Sequence, residues 1–176
     1  MDSAHVQLRR TEHATEVFVT AWPGPSSPYR VESSNKATIP ADAEWPAHLR
    51  GLIGTRSGHG GTEKGRILYC VQSEGPLIES ATVGALAYHL DRTRVLLTAL
   101  GTVRFKHGTD IHLIHALLLA CALEVARCLG SDCLYWVVHQ EAAALQARQD
   151  FGFRRLARDH PVQRRNRRAI VLQLQS

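Results

Sequence analysis

The clearest order in this chain is a change of hydrophobic period. From Arg66 to Val103 the apolar residues fall in short runs separated by turn-forming residues. Arg66 to Gln72 reads as a strand, and Ser73-Glu-Gly-Pro76 turns the chain. Ala81 to Leu90 and Val95 to Val103 are two further strands, joined by the charged turn Asp91-Arg-Thr-Arg94. Runs at this spacing predict an antiparallel meander. The period then becomes helical. From Ile111 to Leu129, Leu113, Ile114, Leu117, Leu118, Cys121, Val125 and Cys128 share one side, with Glu124 and Arg127 on the other. Gly130 is the expected stop. Cys133 to His139 reads as a strand covered on both faces. A short Ala-rich helix, Glu141 to Asp150, follows and ends at Phe151-Gly-Phe153; Ala169 to Gln175 alternates as a last strand.

The first 64 residues carry weaker patterning. Val6–Leu8 and Glu16–Ala21 favour short strands. Trp22 to Pro28 is a breaker segment. Pro40 to Trp45 resembles a helix start, and Pro46 to Ile53 has helical spacing. The loop Thr55 to Gly61 has glycines but not the phosphate-loop pattern G-x-x-x-x-G-K-[ST]. These readings set apart a weakly patterned N-terminal portion, 1–64. A core follows over 65–176, and the two form one domain overall.

Composition changes this picture little. At 176 residues, 44% hydrophobic and 21% charged, the chain suits one globular domain. No apolar run reaches the ~20 residues of a membrane span, so no membrane partner is expected. The N-terminus lacks the basic start and apolar stretch of a signal peptide, which predicts a cytoplasmic protein. The cysteines form no C-x-x-C pair. Cys121 and Cys128, seven apart on the helix, are expected to face the core as free thiols. Charge is more informative. The net charge is +5, and Arg154, Arg155, Arg158, Arg164, Arg165, Arg167 and Arg168 concentrate the excess near the C-terminus. Such a run is either a solvated turn or an attractor for an acidic carrier protein or nucleic acid. No zinc finger, helix-turn-helix or interleaved aromatics accompany it, so nucleic acid is not the expected partner.

The element order and several local segments resemble the GCN5-related N-acetyltransferase (GNAT) superfamily. Ala116 to Gly130 is similar to the family's long central helix, which often ends in "ARxLG". Ala144 to Phe153 resembles its "A(x)xxYEKxGF" segment, and Gly84-Ala-Leu-Ala-Tyr-His89 its third strand. The resemblance implies an α/β fold: a mixed, mostly antiparallel twisted sheet flanked by helices. It also implies acetyl-CoA or another acyl-CoA as donor. The coenzyme would enter between parallel strands Val95–Val103 and Cys133–His139 where they splay. Backbone groups near Leu100, Gly101 and Val103 would pair with the pantetheine arm, and the pyrophosphate would sit on the loop before the long helix. That loop, His107-Gly-Thr-Asp-Ile-His112, departs from the family's [QR]-x-x-G-x-[GA], since Asp110 and His112 stand at the glycine positions. Counting from the helix end places Leu113 and His115 there instead. Arg104, Lys106, His107, Gly108, Thr109 and His112 are the implied phosphate-side residues. Arg148 stands where the family commonly has a tyrosine acid.

His139 is the leading candidate for a general base, because it ends the central strand at the mouth of the expected cleft. Glu79, or Glu74, could serve instead, and Tyr88 and Tyr135 are placed at the cleft. His107, His112 and His115 cluster with Asp110 and could act as phosphate ligands, acid–base groups or a two-histidine, one-carboxylate site; no metal is assigned. The expected function is acyl transfer from an acyl-CoA thioester to an amine of a small molecule or protein, with a small-molecule amine or carrier protein as partner. The alternative is a GNAT-fold protein with a degenerate CoA site, either a CoA-independent enzyme or a non-catalytic binding module. The C-terminal strand could pair between subunits in a homodimer.

Overall fold

The structure is a computed structural model. It describes residues 3–10, 15–22, 27–33, 66–72, 81–103 and 110–175. The strands are β1 (Ser3–Arg10), β2 (Thr15–Trp22), β3 (Tyr29–Glu32), β4 (Arg66–Gln72), β5 (Ala81–Asp91), β6 (Arg94–Thr102), β7 (Cys133–Val138), β8 (Arg154–Arg155) and β9 (Ile170–Gln175). The helices are α1 (Ile111–Cys128), α2 (Glu141–Phe151) and α3 (Pro161–Arg165). All the strands join one sheet in the order β1-β2-β3-β4-β5-β6-β7-β9-β8. Among the described residues, β6 and β7 pair in parallel and the other ladders are antiparallel. The expected mixed, mostly antiparallel sheet flanked by helices is therefore the observed one.

The N-terminal strands are longer than the sequence indicates. β1 and β2 pair as a full eight-residue hairpin, from Ser3 with Trp22 to Arg10 with Thr15. β3 was not expected; it lies between β2 and β4, and its buried Tyr29 and Val31 alternate with partly exposed Arg30 and Glu32. β9 is not the edge on which a homodimer was expected to pair, because β8 pairs along its outer side at Leu172 and Gln173.

Helix α1 organises the core. It touches every strand from β1 to β7. Ile114, Leu118, Cys121, Ala122, Val125 and Ala126 on its inner side are fully buried. Its approach to the sheet requires Gly84 on β5, since a Cβ there would collide with Ile114 Cγ2. Its end is a Schellman cap. Gly130 takes φ 80°, its N–H donates to Arg127 at 2.9 Å, and the Ser131 N–H donates to Ala126 at 2.9 Å. The expectation that Cys121 and Cys128 share the core fails at this end. Cys121 is buried, but Cys128 is exposed, and Leu129 occupies the inward place in the last turn. α1 is also the one described helix apolar and long enough to cross a bilayer, with mean hydropathy 1.7. Its apolar side is spent on the sheet, as in the core helix of a globular domain.

The sheet divides the chemistry between its faces. Leu134, Trp136 and Val138 of β7 join the core under α1 and α2, together with Ala144, Ala147 and Phe153. Tyr135 and Val137 point the other way and pack with Leu96, Leu156, Val162 and Val171. α3 lies on this second face, held by the buried Val162.

Candidate active site

The geometry of a cleft begins where β6 and β7 meet. Their parallel ladder has only three pairs, Val95–Leu134, Leu96–Tyr135 and Leu97–Trp136. β7 then continues against β9 as far as Val138, while β6 continues against β5 as far as Thr102. Two strands that begin paired thus part company after Leu97 and Trp136. Antiparallel pairing alternates the direction of backbone groups. The Val103 N–H donates to Val83 at 2.9 Å, so Val103, and by alternation Gly101, direct their backbone polar groups into the sheet toward β5. This corrects the expectation for those two residues. Leu100, and Thr102 on the same alternation, direct theirs toward the diverging side. Thr102 was not foreseen.

On the α1–α2 face, the mouth of this cleft is formed by the start of α1. Asp110 is its N-cap: Oδ1 accepts the Leu113 N–H at 3.0 Å. Tyr29 lies near Asp110; burial, then the charges of Cys70 and Asp110, raise the Tyr29 pKa, and the Asp110 backbone partly offsets them. Tyr29 reaches the site from β3, a strand too short to show in the sequence. His112 is exposed in the first turn of α1. His115, one position round the helix, is half-buried and meets Phe151 of α2 edge-on at 5.9 Å. Its Nε2 is buried with no hydrogen-bond partner among the described residues. Burial, reinforced by His112 and opposed by Asp150, pushes its pKa down to about 4. His115 is therefore a neutral imidazole at physiological pH. Asp110, His112 and His115 do not form a metal-binding group among the described residues. The edge of β6 fits an amide-bearing arm. The α1 N-terminus fits a pyrophosphate poorly, because a carboxylate already holds the amide that an anion would use.

The second face presents a separate pocket at the end of β7. His139 follows β7 and is exposed; the alternation of β7 puts it on the side of Tyr135 and Val137, away from α1. It lines a pocket of about 390 Å³ with the segment Arg164 to Ala169. Bracing is supplied by Gln163. Its Nε2 donates to the carbonyls of Ala169 at 2.8 Å and Asn166 at 3.2 Å, and its Oε1 accepts the Val171 N–H at 2.9 Å. Asn166 Nδ2 donates to Val162 at 2.9 Å, and Arg165 pairs with Asp91 at 2.8 Å. The exposed arginines Arg164 to Arg168 thus stand on a tied loop that begins as a short helix and ends in a turn. No hydrophobic period marks such side-chain-to-backbone bonds in the sequence.

The remaining candidates separate clearly. Tyr88 is 1% exposed, inside the core cluster beneath α1. Burial there, after the β-bulge at Ala87/Tyr88, keeps its phenol from an aqueous acceptor. Tyr135 is also buried, 6.0 Å from the His160 ring. Arg148 lies exposed on α2. Glu74, Glu79, Arg104, Lys106, His107, Gly108 and Thr109 lie outside the described residues.

No protein-family model and no curated protein matches this sequence. Solved structures do. A protein of Klebsiella pneumoniae assigned as an acyl-CoA N-acyltransferase aligns at TM-score 0.50 and 15% identity, covering 84% of this chain and 97% of its own. N-acetylglutamate synthase of Neisseria gonorrhoeae, solved with coenzyme A and N-acetyl-glutamate, aligns at TM-score 0.50 and 15% identity over 84% of this chain. That alignment spans 35% of the synthase's length. The shared feature is the architecture: this chain has the GNAT fold, as a divergent version of it.

Proposed function

We propose that this GNAT-fold chain is an acyl-CoA-dependent N-acyltransferase whose donor and acceptor enter the β6–β7 cleft from opposite faces. The observation that carries this reading is the three-residue parallel ladder, after which β6 and β7 diverge with an edge of β6 turned toward the gap. A sheet edge of this kind can accept an extended amide-bearing arm in place of the missing strand. The fold neighbours support it: one is assigned as an acyl-CoA N-acyltransferase and the other was solved with coenzyme A.

Bound acyl-CoA supplies a thioester. That thioester would offer an amine an activated acyl carbon, with the coenzyme thiol as the leaving group. His139, exposed at the end of β7, takes the proton released by the amine, and the departing sulfur is protonated from solvent. The edge of β6 at Thr102, turned toward the gap, would orient the arm. Lodging phosphates falls to the connection before α1 and to His112, which begins the helix.

Asp110 favours a second reading, in which the fold is kept and coenzyme A is not used. Its carboxylate occupies the Leu113 amide at 3.0 Å, and that geometry opposes a pyrophosphate. Melting temperature decides between the two. Coenzyme A at about 100 times its dissociation constant adds about 2.7 kcal/mol, or roughly 5–11 °C for a chain of this size. No rise with coenzyme A, acetyl-CoA or longer acyl-CoA would leave the second reading standing.

A further inference from the structure

The pocket beside His139 has a feature that acyl transfer alone does not require. Four arginines, Arg164, Arg165, Arg167 and Arg168, line it with His139, and no carboxylate does. Arg165 is held by Asp91, but Arg164, Arg167 and Arg168 have no ion-pair partner among the described residues. Exposed arginines often mean only a solvated loop. Here the loop is fixed from within. Gln163 bonds three backbone groups around the segment, and Asn166 bonds a fourth. Arg164, Arg167 and Arg168 are therefore carried beside one concavity by a pre-set backbone rather than by a free turn. A pocket of about 390 Å³ has the scale of a small-molecule site and not of a macromolecular surface.

The geometry points to an acceptor amine that carries an anionic group, a phosphate or a carboxylate, seated among Arg164, Arg167 and Arg168 with its nitrogen toward His139. This rests on the acyl-transfer reading for the role of the nitrogen; the anion selectivity rests on the pocket alone. Guanidinium groups suit both anions, because their paired N–H donors match two oxygens at once. The same charges disfavour an amine without an anion, since an ammonium near several arginines is repelled. They also lower the fraction of acceptor nitrogen that stays protonated, which prepares it for attack.

The test compares three primary amines of similar size: phosphoethanolamine, γ-aminobutyrate and ethanolamine. Their binding to the full chain is followed through the His139 ring resonances. At least one anionic amine should bind about tenfold or more tightly than ethanolamine, and which of the two wins identifies the anion. That preference should weaken with added salt. The double substitution Arg167→Gln and Arg168→Gln should remove it without changing the melting temperature. Equal binding of all three amines, or a preference that survives the double substitution, overturns the inference. Saturating coenzyme A should leave anion binding in place. Competition between phosphoethanolamine and coenzyme A would instead make the pocket a coenzyme phosphate subsite, and the acceptor assignment would fall. A protein that prefers the anionic amines but gains no stability from coenzyme A would refute the acyl-transfer reading and leave the anion selectivity intact.

Discussion

The two faces of the sheet at the β6–β7 cleft differ in kind. On the α1–α2 face the described groups are an N-cap carboxylate, an exposed His112 and a neutral, half-buried His115. On the opposite face His139 stands among arginines on a braced loop. A helix N-terminus ordinarily attracts anions. Here Asp110 has taken that role for the helix itself, while four arginines line the pocket beside His139.

Breaking the acceptor mouth should give the largest effect. His139→Ala should lower the turnover rate by about 10²–10⁴-fold, the usual contribution of a positioned acid–base group. Coenzyme A should still raise the melting temperature of that variant. A rate loss under about threefold would remove His139 from the chemistry.

Helix α1 covers only the first of these faces, and Leu118→Ala should test its seating. Leu118 is fully buried against the sheet, and its truncation should cost about 2–5 kcal/mol in urea unfolding. A cost below 1 kcal/mol would mean that α1 is not seated on β5 as described.

The donor mouth can be sharpened with Asp110→Asn. Asparagine caps a helix about as well as aspartate, so stability should hardly change. Removing a unit charge near a bound phosphate should tighten coenzyme A by about 1–4 kcal/mol, or at least fivefold. Unchanged affinity by calorimetry would show that the phosphates do not approach Asp110.

The smallest effect concerns His115. Its folded pKa of about 4 lies below the ordinary 6.5. Between those values the unfolded chain binds a proton that the folded chain does not. The stability from keeping His115 neutral is therefore complete above pH 6.5 and is lost as pH falls toward 4. The melting temperature should drop by a few degrees across that window, and less in His115→Leu. Identical pH profiles would place the imidazole in water.

Much of the scaffold could be read because period follows packing. α1 is buried along one stripe that its Ile114-to-Val125 pattern shows, whereas Leu113, expected on that side, is exposed in the first turn. β4 to β7 and β9 show their runs for the same reason. Position at the end of β7 made His139 visible. The rest depended on tertiary contacts. β3 is four residues long, too short for its alternation to stand out, so Tyr29 was missed. The loop around Gln163 is organised by side-chain-to-backbone bonds that leave no periodic trace, so its arginines read as a solvated turn. Tyr88 and Val103 were placed by proximity in sequence to the cleft. Which way a strand residue points, and where its N–H goes, is fixed by the register of β5 against β6.

The most direct test of acyl transfer across this cleft is the release of free coenzyme A thiol from acetyl-CoA, measured with and without an anionic primary amine. The account predicts thiol release that depends on the amine, with one acylated amine formed per thiol. Coenzyme A binding without amine-dependent thiol release, across phosphate- and carboxylate-bearing amines and across acyl chain lengths, would contradict it.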